Sequence, residues 1–198
     1  MNKLLLISLI TLCCFSSMAQ KSKGNLINNP SFEKSQPSKL NKGGWKFKKA
    51  PKWQAVVSVV TDKSFITDGK QSISCKINAK GGKDRFQQVA VGRILNAQLF
   101  DVTKDYELKF DLGTDGEAKY EVFIACNSKS SKSKKILVSL KDQKSMPGKM
   151  SPMVFKLEIS KLGIDSSDLK NVALWIRMGS GSNAGKTFYF DNFNLYAI

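Results

Sequence analysis

The sequence predicts an all-β fold: an antiparallel β-sandwich of jelly-roll type, a single domain behind a secretory signal peptide. Three observations carry this prediction. Beyond residue 20, no stretch of ten or more residues repeats its apolar side chains at helical spacing. Short runs rich in Val, Ile, Phe and Tyr recur instead, nine of them within the last 179 residues, which is the cadence of a sandwich. Tight-turn signals such as Thr67-Asp68-Gly69-Lys70 and Asp115-Gly116 stand between those runs.

The first element is an address. Asn2 and Lys3 precede an apolar run from Leu4 to Phe15, and Ser17-Met18-Ala19 supplies a small-x-small cleavage site. The run is too short to span a bilayer, which takes about 20 apolar residues. Residues 1–19 are therefore expected to be removed, leaving a domain at 20–198 that is secreted, periplasmic or on the cell surface. Leu12 before Cys13 argues against a lipoprotein signal, which needs a small residue there. Ala55–Val60, Gln71–Ile77, Phe86–Val91 and Tyr106–Leu112 read as the first strands. Tyr120–Cys126, Lys135–Leu140, Met153–Ile159, Val172–Met178 and Thr187–Tyr196 continue the series. Ser166–Lys170 is the one helical turn, capped by Asp165 or Ser166. The polar segment Asn127–Lys135 is a solvated loop, and Lys21–Asn25 is a lead-in.

Composition removes several kinds of chemistry. There is no histidine, so Ser-His-Asp and Cys-His catalysis and histidine-ligated zinc are excluded. Glu107 and Asp111, flanking Lys109, are the nearest approach to the paired acids of a glycosidase, so no enzyme is expected. Cys75 and Cys126 remain after signal removal, and both lie in phase with apolar neighbours. An oxidising compartment permits one disulfide between them; the alternative is two buried free thiols.

Three segments in order carry a resemblance. They are Asn25-Leu26-Ile27-Asn28-Asn29-Pro30-Ser31-Phe32-Glu33 with Gly44-Trp45, then Asp68-Gly69-Lys70-Gln71-Ser72-Ile73-Ser74-Cys75, then Phe188-Tyr189-Phe190-Asp191-Asn192-Phe193-Asn194-Leu195. Together they resemble the CenC-like carbohydrate-binding modules of the galactose-binding-like jelly-roll group, over residues 25–196. The resemblance implies a structural calcium ion near Ser31, Glu33, Gly69 or Lys70, and Asp191. Calcium takes several oxygen ligands at about 2.3–2.6 Å, and two carboxylates with main-chain carbonyls suit it. The alternative is that Glu33 and Asp191 pair with the plentiful lysines. The resemblance also reads Trp45 as a buried structural residue, and it assigns Val172–Met178 to a concave ligand face.

Strand parity refines that face. Val172, Leu174, Ile176 and Met178 share one side of their strand, so Ala173, Trp175 and Arg177 share the other. Trp175 offers a stacking surface for a sugar ring, with Arg177 beside it as a hydrogen-bond donor. By the same parity Lys109 points away from the core side of Leu108, Phe110 and Leu112 and is expected on the ligand face. Trp53 at a loop edge and the amide of Gln88 complete the candidates, though the phase of Gln88 is ambiguous. The alternative for all of them is an ordinary solvated sheet face.

The chain carries 32 Lys plus Arg against 16 Asp plus Glu, a net charge of +16, with only three arginines. Such a field favours anionic partners. Scattered lysines without a groove-reading helix argue against nucleic acid, so an acidic or sulfated polysaccharide fits better. The alternative is that the lysines only keep the surface soluble. The expected function is that of a secreted, non-catalytic, monomeric protein binding a polysaccharide. The rival is a structural or adhesive envelope protein that uses the sandwich for protein contacts.

Overall fold

The computed structural model describes residues 24–35, 44–49, 54–79, 87–130, 134–145, 147–179 and 181–198. The signal segment and Trp53 lie outside the described residues. Among the described residues are ten strands: β1 Trp45–Lys49, β2 Gln54–Val60, β3 Ser72–Ala79, β4 Gln87–Leu95 and β5 Tyr106–Thr114. They continue with β6 Ala118–Ser128, β7 Lys134–Ser145, β8 Gly148–Leu157, β9 Leu169–Gly179 and β10 Thr187–Ala197. The expected helical turn is a 3-10 turn at Ser166–Asp168, with Lys170 already in β9 and the Asp165 carboxylate accepting from the Ser167 amide at 2.8 Å. Three further 3-10 turns among the described residues, Lys63–Phe65, Ser160–Leu162 and Gly181–Asn183, went unread. Strand β1 is the one that periodicity missed, because Trp45, Lys46, Phe47 and Lys48 are too short an alternation to stand out.

The strands form two antiparallel five-stranded sheets, in the orders β1-β4-β9-β6-β7 and β2-β3-β10-β5-β8. The fold is thus an all-β jelly-roll sandwich. Alternation builds its core: in β9, Val172, Leu174, Ile176 and Met178 are fully buried from one face, and in β10, Phe188, Phe190, Phe193 and Leu195 from the other. Phe110 stacks on Phe193 with ring centroids 4.8 Å apart, which joins the core-facing aromatics of β5 and β10.

The N-terminal segment plugs one side of this core. Trp45 is 1% exposed, packs 4.5 Å from Phe32 and 4.7 Å from Phe193, and its indole N–H donates to the Asn29 carbonyl at 3.0 Å. Its reading as a buried structural tryptophan therefore holds. Cys75 on β3 and Cys126 on β6 lie in different sheets as buried free thiols. Burial pushes the Cys75 thiol up to about 12.

Candidate functional site

The register across the first sheet fixes which side chains meet on its outer face. Gly92 of β4 lies opposite both Lys46 of β1 and Trp175 of β9. Trp175 in turn lies opposite Phe123 of β6, and Phe123 opposite Ser139 of β7. The next row reads Lys48, Ala90, Arg177 and Glu121. Two rows of outward side chains thus cross the sheet, one centred on two aromatic rings and one on an ion pair.

Gly92 makes the aromatic row. A Cβ there would come within 2.5 Å of both Trp175 Cδ2 and the Leu174 carbonyl. Only a residue without a side chain leaves the indole room to lie flat on the sheet. Trp175 with Ala90, Phe123 and Ala125 forms a small apolar cluster outside the main core. The rings are not open platforms, since Trp175 is 4% and Phe123 3% exposed. Cations cap them: Lys48 Nζ stands 4.4 Å over the indole and the Arg177 guanidinium 4.5 Å over Phe123.

The polar row is tied to the aromatic one. Arg177 donates to Glu121 Oε2 at 2.7 Å, and the Ser139 hydroxyl donates to Glu121 Oε1 at 2.5 Å. Glu121 is 2% exposed, and these two donors replace the water its carboxylate gives up on burial. The guanidinium is thus held between Glu121 and the Phe123 ring, on the same face as the indole, with one-fifth of its side chain still exposed.

Of the expected ligand residues, Trp175 and Arg177 share this face. Lys109 does not. It sits on β5 in the opposite sheet, across from Asn194 and Val154, and pairs with Glu107 at 2.7 Å. Parity alone separates inward from outward; it cannot say which of two sheets a strand joins, and that corrects the grouping of Lys109 with Trp175. Gln88 falls where the β4–β9 register shifts between Gln87 and Ala90. The sequence reading missed Gly92, Phe123, Glu121, Ser139 and Lys48. Parity of Val122, Ile124 and Cys126 already places Glu121 and Phe123 outward, but their pairing with β9 needed the register.

The expected cation ligands also come together, on the other sheet. Asp191 follows the inward-facing Phe190 and so faces outward, yet it is fully buried under the loop at 67–71; the bulge just after it, with Asn192 at φ 51°, brings Phe193 back to the core side. Its Oδ2 accepts from the amides of Thr67 at 2.7 Å and Asp68 at 3.0 Å. Burial nonetheless pushes the Asp191 carboxyl up, against the pull of these amides. Glu33 Oε1 accepts from the amides of Lys70 at 2.7 Å and Gln71 at 3.0 Å, and Ser31 donates to Asp68. Gly69, at φ 74°, keeps the loop clear: a Cβ there would lie 2.8 Å from the Glu33 carboxyl carbon.

The partners of Glu33 and Asp191 among the described residues are main-chain amides and the Thr67 hydroxyl, not lysine side chains. Among the described residues no three carboxylates or thiols gather into a cation cage. A hard cation here would need Glu33 and Asp191 together with further oxygen ligands.

Comparison with known proteins bears on the fold. No family model matches the sequence, and no curated protein matches it. Solved structures do match. The CBM22-1 xylan-binding domain of Paenibacillus barcinonensis Xyn10C aligns with a TM-score of 0.59 at 11% identity, covering 91% of this chain and 98% of that one. A CBM4 structure aligns at 0.60 and 15% identity, covering 87% and 99%. An arabinose-bound GH51 α-L-arabinofuranosidase aligns at 0.61 and 14% identity over 89% of this chain, which spans only 27% of that enzyme. The likeness shows a jelly-roll sandwich, the same architecture as in those carbohydrate-binding modules. At these identities the likeness speaks to architecture, and function rests on the site.

Proposed function

We propose that this protein is a non-catalytic carbohydrate-binding protein that holds a polysaccharide on the outer face of the β1-β4-β9-β6-β7 sheet. The observation that carries it is the seat of Trp175, an indole laid flat over Gly92 beside a guanidinium fixed by a buried carboxylate. A pyranose ring presents C–H groups to an indole face and hydroxyls to planar polar groups at its rim. Lys48 is exposed, so it swings off the indole at little cost when a sugar arrives. The architecture shared with the xylan-binding CBM22-1 domain supports the same reading.

The absence of histidine and the engagement of Glu121 by Arg177 and Ser139 support a binding role over hydrolysis. Lys46 and Lys48, exposed on the same face, favour a carboxylated or sulfated glycan. The first nineteen residues support secretion, and no helix among the described residues is long and apolar enough to cross a membrane. A calcium ion at the Thr67–Gln71 loop, held by Glu33, Asp191 and further oxygen ligands, would pin the N-terminal segment to β10.

A glycan array at low and high salt tests the function. Selective hits on acidic polysaccharides that weaken with salt are expected. No selective hits would favour the structural or adhesive role, with the same face making protein contacts.

A further inference from the structure

A cleft lies on the opposite side of the sandwich from the Trp175 face. It measures about 450 Å³ and runs between the 3-10 turn at Lys63–Phe65, the end of β5 and the start of β8. Its floor is Tyr189, whose chain neighbours Phe188 and Phe190 are fully buried, so its own ring faces outward from the β2-β3-β10-β5-β8 sheet. Gly113 lies directly across from it on β5, and the Met150 side chain takes the place a Cβ there would fill, so Met150 borders the cleft on that side. Phe65 lies on Tyr189 with ring centroids 3.8 Å apart and planes 8° from parallel. The two rings make one half-buried aromatic wall.

The rest of the lining is polar and of both signs. Asp115 lines the cleft with its Oδ1 taken by the Thr187 amide at 2.9 Å, while no hydrogen bond among the described residues engages Oδ2. Lys149 enters from the start of β8, and Ser64 from the 3-10 turn. An aromatic wall with one carboxylate acceptor, one ammonium donor and a hydroxyl is the donor set that recognises a polyol ring. The two charges cancel, so the cleft has no preference for a charged ligand. Its volume is at the small end of the range of about 300–1,000 Å³ for ligand clefts, room for one or two sugar rings.

We propose that this cleft is a second saccharide site, taking a short neutral sugar through the Phe65–Tyr189 wall, Asp115 and Lys149. It stands on its own geometry and does not require that the Trp175 face bind anything. If both faces bind, one chain bridges two glycan strands, and multivalent attachment to an insoluble polysaccharide gains by avidity.

Amide-resolved NMR of the intact protein, titrated separately with cellobiose, xylobiose and galactobiose, tests this. The expected result is saturable shifts of the Phe65, Asp115, Lys149 and Tyr189 amides with at least one of the three, unchanged by added salt. Phe65→Ala and Lys149→Ala, both at positions outside the core, should each weaken saturation by about tenfold while leaving the remaining spectrum intact. Absence of cleft shifts with all three disaccharides would overturn the proposal. So would shifts that survive both substitutions. The Trp175 indole N–H reports the other face in the same titration, so failure of either site is seen separately.

Discussion

Replacing Gly92 with alanine is the sharpest perturbation of the Trp175 seat. The new methyl would lie 2.5 Å from Trp175 Cδ2, whereas carbon atoms rest about 3.5–4.0 Å apart, so the indole must rise by about 1 Å or leave. The Leu174 carbonyl, also at 2.5 Å, cannot give way without disturbing the β4–β9 pairing. A tryptophan buries about 150–250 Å², and exposing roughly half of that at about 25 cal/mol per Å² costs about 2.5 kcal/mol. Strain in a well-packed contact falls in the same range, about 1–3 kcal/mol. With a urea slope near 2 kcal/mol/M, the unfolding midpoint should drop by about 1 M. Tryptophan emission should shift red as the indole meets water. Gly116→Ala is the control, because the nearest atom to a Cβ there is Lys186 Cε at 3.7 Å. If Gly92→Ala moves the midpoint no further than Gly116→Ala, the indole does not depend on the glycine and the reasoning is wrong.

Arg177→Ala strands Glu121, which is 2% exposed, and should cost about 3 kcal/mol, the low end for breaking a buried pair because Arg177 is partly exposed. Adding Glu121→Gln should return part of that loss in urea unfolding, and no recovery would mean the pair is not what holds the site. The Asp168 carboxyl is held down at about 2 from its usual 3.8, chiefly by the Ser128 hydroxyl and then by Ser130. Its contribution to stability is therefore complete above that usual value and disappears as pH falls from there through about 2. An NMR titration of Asp168 should give its midpoint near 2, and a midpoint near 4 would show that the Ser128–Ser130 turn is not closed in solution. If calcium sits at the Thr67–Gln71 loop, EDTA lowers the melting temperature and added calcium restores it, with Glu33→Gln removing the response; an unchanged melting temperature ends that proposal.

Much of the architecture was legible because strand periodicity is local. Nine runs of alternation in the sequence all became strands, and the inward set of β9 is the one its parity gives. The cap at Asp165 was readable for the same reason. What escaped was non-local. Lys109 and Trp175 are both outward, but β5 and β9 belong to different sheets, and sheet membership depends on pairings between strands far apart in the chain. Glu121 was visible as outward-facing, yet its role appears only when β6 and β9 align Glu121 with Arg177. Gly92 reads in sequence as one more strand glycine. Its importance comes from the tryptophan that lies on it, more than eighty residues later.

Binding of wild type and Trp175→Ala to the same polysaccharide, measured side by side with Lys109→Ala, tests the assigned face most directly. Stacking on the indole depends on apolar contact and should persist across salt concentrations. Trp175→Ala should therefore lose binding at low and high salt alike. Lys109→Ala, on the opposite sheet, should bind as wild type does. Retained affinity in Trp175→Ala, with the protein still folded, would place the polysaccharide elsewhere and contradict the site described.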